Sequence, residues 1–342
     1  MSGRVDIAVV GAGSSAGGSL LELLESREFP VGEVHALDIG EAVGSRLEFR
    51  NGYLSVRAIE GFDFETVQLA FFLADAGTAF EHAPRAAAAG CVVIDSSPAF
   101  RLDETVPLVI PEVNPGAVAG FRERGILSSP ADTTVMLLLA LEPLRHEVGI
   151  DRVDITLLHA VAGSDRRGAE ELAGQTARLL NGMSVDTEVF PRQIAFNLLP
   201  QVGAFMDNGY TRGEMELVWE TRRVLGDPEL PLNPTLVQAP VFFGHSAVLC
   251  VHTREPIDAE SARELLASAP GLEVIDEREP GGYPTPVTEA AGSDSVYVGR
   301  IRADLDLPRA LNLWVVADNL RRCTALNCLR IGEILLDEML LN

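Results

Sequence analysis

A short β-branched run, residues 4–10, stops at Gly11-Ala12-Gly13, and apolar residues resume at helical spacing from Ser15. The turn reads GxGxxxG across Gly11, Gly13 and Gly17. Between a strand and a helix, such a turn aims backbone N–H groups and the positive end of a helix dipole at one point, where a pyrophosphate can be held. It also serves, with no ligand, to let strand and helix pack closely. Asp38 closes the second strand candidate, residues 33–38. A carboxylate there bonds a ribose 2′-hydroxyl and repels a 2′-phosphate, although a plain strand-end turn uses acidic residues too. If a dinucleotide binds, these residues favour NAD and disfavour NADP. His245 follows Gly244 between two strand candidates, as an acid–base group or as a buried imidazole that steadies a loop. Asp132 precedes the apolar run 135–141, where it caps the helix that the run predicts.

Several chemistries lack their residues. All 27 basic residues are Arg, so Walker-type phosphate binding and pyridoxal Schiff bases have no lysine to use. Cys91, Cys250, Cys323 and Cys328 show no CxxC spacing, and are read as thiols of a reducing compartment rather than as a disulfide or zinc framework. The 342 residues carry 50 acidic side chains, for a net charge of −23 with 6% aromatic residues, which disfavours nucleic acid as a partner. No apolar stretch is long enough for a membrane span, and the expected location is the cytoplasm.

The elements that must position these residues fall into two halves. Strand candidates at 4–10, 33–38, 67–73 and 91–95 alternate with helical segments 15–24 and 79–89, which implies a parallel, Rossmann-type sheet. Strand candidates at 153–158, 237–243, 247–252 and 296–301, separated by long excursions, imply an antiparallel or mixed sheet in an α+β domain. The expected division is therefore α/β in class: a dinucleotide-binding domain over 1–130, completed by a terminal helix 319–342, and a substrate and dimerisation domain over 131–318.

Taken in order, four motifs carry a resemblance: Gly11 to Gly17, residues 92–101 (VVIDSSPAFR), residues 106–114 (VPLVIPEVN) and residues 193–197 (QIAFN). Shorter matches follow at Asn208-Gly209-Tyr210-Thr211, Gly244-His245-Ser246, residues 283–286 (YPTP), residues 298–302 (VGRIR) and Asp318-Asn319-Leu320. Together they resemble the aspartate-semialdehyde dehydrogenase family of amino-acid biosynthesis along nearly the whole chain. The resemblance implies a homodimer whose first domain binds NADP, with Asn319 near the cofactor. It also implies a reaction in which a cysteine thiolate takes the acyl group of aspartyl-β-phosphate as a thioester.

Where that family places its cysteine, this chain has Asp132. The resemblance further sets His159 at a glutamine position, Gln238 at an arginine that clamps the substrate carboxylate, and Glu216 at a phosphate-binding lysine. Arg101, an amine-binding Glu214 and the base-like His245 persist. In this pattern the chain is similar to the family's Usg-type paralogue, which lacks the catalytic cysteine. The expectation is a pseudoenzyme: a dimeric, non-catalytic or regulatory homologue, with a mixed dimer alongside an active paralogue as a further partner. One alternative is an NAD-dependent oxidoreductase acting on another carbonyl or hydroxyl through His245 or His159. A weaker one is a metal-dependent enzyme at Asp132, His159 and His245, and an Asp132–His245 ion pair is the simpler use of the same residues.

Overall fold

The computed structural model describes residues 4–340, with side chains to residue 337. The chain divides into two compact units, one holding the residues up to 131 together with those from 324 onward, the other residues 132–323.

The first unit opens with β1 (Val5–Val10), α1 (Ser15–Ser26), β2 (Val31–Asp38), a hairpin of β3 (Arg46–Phe49) and β4 (Gly52–Ser55), and the short β5 (Arg57–Ala58). It continues through β6 (Leu69–Phe72), α2 (Ala76–Ala88), β7 (Val92–Asp95) and β8 (Ile126–Ser128). Six strands form one sheet in the order β5-β2-β1-β6-β7-β8, and every pairing in it is parallel. The unbroken apolar character of β1 follows from burial on both faces. Ile7 and Val9 join α1 and the C-terminal helix on one side, while Ala8 and Val10 join Ala79, Ala83 and Ala86 of α2 on the other. The chain leaves β1 for β2 on one flank and reaches β6 on the other, so the carboxyl ends of β1 and β6 bound a topological switch point.

The second unit begins with α3 (Asp132–Val148), β9 (Ile150–His159), α4 (Asp165–Leu180) and α5 (Arg212–Leu225). Then come β10 (Leu232–Gln238), β11 (His245–Thr253), α6 (Ala259–Ser268), β12 (Leu272–Val274), β13 (Val296–Ala303) and β14 (Ala310–Ala317). Its six-stranded sheet has the order β10-β9-β11-β14-β13-β12 and is mixed, with β9 parallel to β10 and antiparallel to β11. Helix α3, buried from Thr133 through Leu141, packs against β11, β13 and β14.

Several elements differ from those read in the sequence. The candidate at 237–243 lies instead at Leu232–Gln238. It tolerates Pro234 because β10 is an edge strand, and Pro240 follows its end. Strand β14 has no counterpart among the candidates. The single terminal helix expected from 319 is a wide-turned segment, Arg321–Leu326, followed by α7 (Asn327–Leu340), and the first unit resumes only at 324.

The glycine turn is held by close backbone approach. A Cβ on Gly11, whose φ is +77°, would stand 2.4 Å from the Leu73 carbonyl oxygen, and one on Gly17 would stand 2.3 Å from the Gly11 oxygen. Gly18, in α1, has nothing within 4 Å of the same position. Gly11→Ala is therefore expected to destabilise the protein by about 1–3 kcal/mol or more, whereas Gly18→Ala should be neutral or stabilising by up to about 1 kcal/mol. Urea denaturation of the two variants beside the parent measures the contrast.

Candidate active site

Three strand ends and one helix start meet at the edge of the second sheet. His159 is the last residue of β9, Gln238 pairs with it at the end of β10, and His245 opens β11 beside it. The two imidazole centroids lie 4.1 Å apart. Asp132 opens α3, where its Oδ1 accepts the Thr133 N–H at 2.8 Å. Asp132 Oδ2 lies 3.1 Å from His245 Nε2. Asp132, His159 and His245 each offer one potential ligand atom, and these atoms all lie within 4.8 Å of one another.

The backbone fixes the tautomer of His245. The Ala160 N–H donates to its Nδ1 at 3.0 Å, so Nδ1 holds a lone pair and the ring proton sits on Nε2, facing the Asp132 carboxylate. Both nitrogens are thereby engaged. Gly244, at φ +85°, brings the chain into this position against Pro286, whose oxygen would stand 2.7 Å from a Cβ there. Asn319 Oδ1 accepts the Gly244 N–H at 3.2 Å, which ties this asparagine to the turn before β11.

His159 is buried, and its Nδ1 has no hydrogen-bond partner. Burial, reinforced by the neighbouring His245, pushes this imidazole down to about 3, so it is neutral near pH 7. For Asp132, burial would raise the carboxyl, but His245 and then His159 and the Thr133 amide outweigh it and hold it below the usual carboxylate range. Gly163 lies against the His159 ring, where a Cβ would approach Cε1 to 2.1 Å.

Several residues expected at a substrate pocket make hydrogen bonds or ion pairs within the protein. Glu214 accepts the Thr211 N–H at 2.7 Å and the Leu236 N–H at 3.0 Å, so both its oxygens take part in the capping box of α5 and in holding the neighbouring strand. Glu216 pairs with Arg212 Nε at 2.7 Å. Gln238 Nε2 donates to the His159 carbonyl at 2.9 Å. Arg101 lies in the first unit, where its Nη2 donates to the Ser96 carbonyl at 2.5 Å. The metal alternative meets a specific obstacle at His245. With Nδ1 accepting a backbone N–H, Nε2 would have to lose its proton to bind a cation, leaving an imidazolate, whereas a ligating histidine normally donates from its other nitrogen.

In the first unit, Asp38 ends β2 with Oδ2 accepting the Gly13 N–H and Oδ1 accepting the Ile39 N–H, each at 2.8 Å. Its carboxylate is thus fixed beside the glycine turn. Ser14 caps α1 by accepting the Gly17 N–H. Asp95, at the end of β7, is a buried group not singled out in the sequence. Burial raises its carboxyl to about 7 against the hydrogen bonds from Ser97 and the charge of Arg101. Its place at the carboxyl end of an apolar parallel strand was the available signal.

A dinucleotide-type first unit and a mixed-sheet second unit with an imidazole at the start of a strand define a two-domain semialdehyde dehydrogenase fold. Residues 6–121 match the semialdehyde dehydrogenase NAD-binding domain, and residues 141–322 match the semialdehyde dehydrogenase dimerisation domain. The chain is 43% identical to an aspartate-semialdehyde dehydrogenase of Shewanella violacea, over 98% of this chain and 99% of that protein. It is 42% identical to a USG-1 protein homologue of Azotobacter vinelandii, over 99% of each. The structure of aspartate-semialdehyde dehydrogenase II from Vibrio cholerae, complexed with ASA, superposes with a TM-score of 0.96 at 44% identity, covering 98% of this chain and 99% of that one. The chain belongs to the aspartate-semialdehyde dehydrogenase family. Among the described residues no helix is long and apolar enough to cross a membrane.

The buried His159 links the site to stability. Its folded value of about 3 lies below the ordinary 6.5, so between these pH values the unfolded chain binds the extra proton. Its contribution should therefore destabilise the fold progressively as pH falls from about 6.5 towards 3. Urea midpoints across this range should fall less steeply for His159→Gln than for the parent.

Proposed function

We propose that this chain keeps the two-domain dehydrogenase architecture as a homodimer but does not run the thioester reaction, and acts as a non-catalytic or regulatory member of its family. The observation that carries this reading is the carboxylate of Asp132 set 3.1 Å from His245 Nε2, where the resemblance calls for a thiolate. Attack by a carboxylate on an acyl phosphate gives an anhydride. Its adduct with an aldehyde lacks the sulfur that makes a hemithioacetal a good hydride donor. Relatives named as dehydrogenases and as USG-1 homologues match almost equally well, at 43% and 42%, so the residues of the site weigh more than overall identity. The match to a dimerisation domain supports the homodimer.

The cofactor in this reading is NAD. The Asp38 carboxylate, anchored by two backbone amides at the end of β2, suits a 2′-hydroxyl and opposes a 2′-phosphate, and the exposed Glu41 follows it. A second reading, an NAD-dependent oxidoreductase on another carbonyl or hydroxyl, is favoured by the unpartnered Nδ1 of His159. It assigns proton transfer to His159, because His245 has both nitrogens engaged.

Purified protein given aspartate semialdehyde, phosphate and either NAD or NADP should show no reduction of the nicotinamide above background. Turnover with either cofactor would overturn the non-catalytic reading. Calorimetry should show NAD binding about tenfold or more tightly than NADP, a preference that Asp38→Ser should reduce.

A further inference from the structure

The cluster of Asp132, His159 and His245 presents an arrangement suited to one kind of ligand atom. The Asp132 side chain is 18% exposed, whereas that of His245 is 1% exposed, so the carboxylate is the part of this pair open to the outside. Each Asp132 oxygen accepts from one donor, Thr133 N–H on Oδ1 and His245 Nε2–H on Oδ2, and each keeps acceptor capacity for another. His159 is buried and its Nδ1 has no hydrogen-bond partner, so its ring is not fully satisfied by the protein. A ring nitrogen of His159 and a carboxylate oxygen of Asp132 lie within 4.8 Å of each other, a span that one donor atom can bridge with two ordinary hydrogen bonds.

The surrounding groups narrow the ligand's chemistry. Arg212, the nearest guanidinium by sequence to the expected phosphate-binding position, is paired with Glu216. Gln238 directs one amide N–H to the His159 carbonyl. The anion at the site is a fixed part of the protein. A divalent cation bound through His245 would need a lone pair on Nε2, which carries the ring proton because Nδ1 accepts the Ala160 N–H.

We infer that Asp132 and His159 form a receptor for a primary ammonium group, with the carboxylate supplying the opposite charge and the imidazole a second acceptor. This deepens the reading under Proposed function by naming a ligand class for the same site, and it requires no turnover. The neutral state of His159 near pH 7, imposed by burial, leaves one of its nitrogens free to accept and avoids repulsion between two cations. His245 then acts as a positioning residue that holds the carboxylate in place.

The test is an NMR titration of the full-length protein labelled with 15N-histidine, near pH 7, with the His159 resonances assigned by their loss in His159→Gln. Ethylammonium chloride should shift the His159 signals saturably, and Asp132→Asn should weaken this response by about tenfold, as expected for loss of a charge-assisted hydrogen bond. Ethanol, acetyl phosphate and zinc chloride are the controls, and each should leave the His159 signals unchanged. No response to ethylammonium would overturn the inference, as would an undiminished response in Asp132→Asn or an equal response to ethanol. Saturable shifts with zinc would replace the ammonium receptor with a metal site. Because the readout is binding, its failure is separate from any turnover that would overturn the non-catalytic reading.

Discussion

The hydrogen bond from the Ala160 N–H to His245 Nδ1 governs what the site can do. A backbone amide can only donate, so it sets the tautomer of the ring without help from any ligand. The remaining ring proton must then face the residue at the start of α3, and in this chain that residue is a carboxylate. One amide thus turns His245 from a free acid–base group into the fixed donor of a pair. The bond exists because β9 and β11 lie antiparallel and adjacent, with their ends level at His159 and His245.

The same strand arrangement explains why His159 is unusual. It sits at the end of a buried strand, against a glycine that leaves no room for a side chain, and next to a second imidazole. Desolvation and the neighbouring ring both oppose a positive charge there. The result is a neutral His159 near one carboxylate, the reverse of a pocket built to hold phosphate. In the first unit the Asp38 carboxylate likewise occupies a turn amide that an anionic ligand could otherwise use.

Much of the fold was legible because periodicity reports burial. The apolar run of β1 and the helical spacing of α1 read directly as strand, turn and helix, and a strand buried on both faces leaves little ambiguity. The second unit was harder to read. Strand β10 contains Pro234, which breaks a strand pattern except at a sheet edge, and only the assembled sheet shows that β10 is an edge. Strand β14 went unread although it is a buried inner strand. The break at Arg321–Leu326 before α7 left no mark in the apolar spacing.

The residue types of the site were set by the sequence alone: an aspartate before an apolar helix, two histidines, a glycine turn with Asp38 after it, and no lysine anywhere. So was the family, through long collinear motifs. What each residue is free to do was decided only by tertiary structure. Glu214 spends both oxygens on backbone amides of α5 and β10, and Asn319 is held at Gly244. His245 is fixed by an amide 85 residues away in the chain. Hydrogen-bond partners and desolvation depend on neighbours brought together by sheet register, and spacing along one chain carries no record of them.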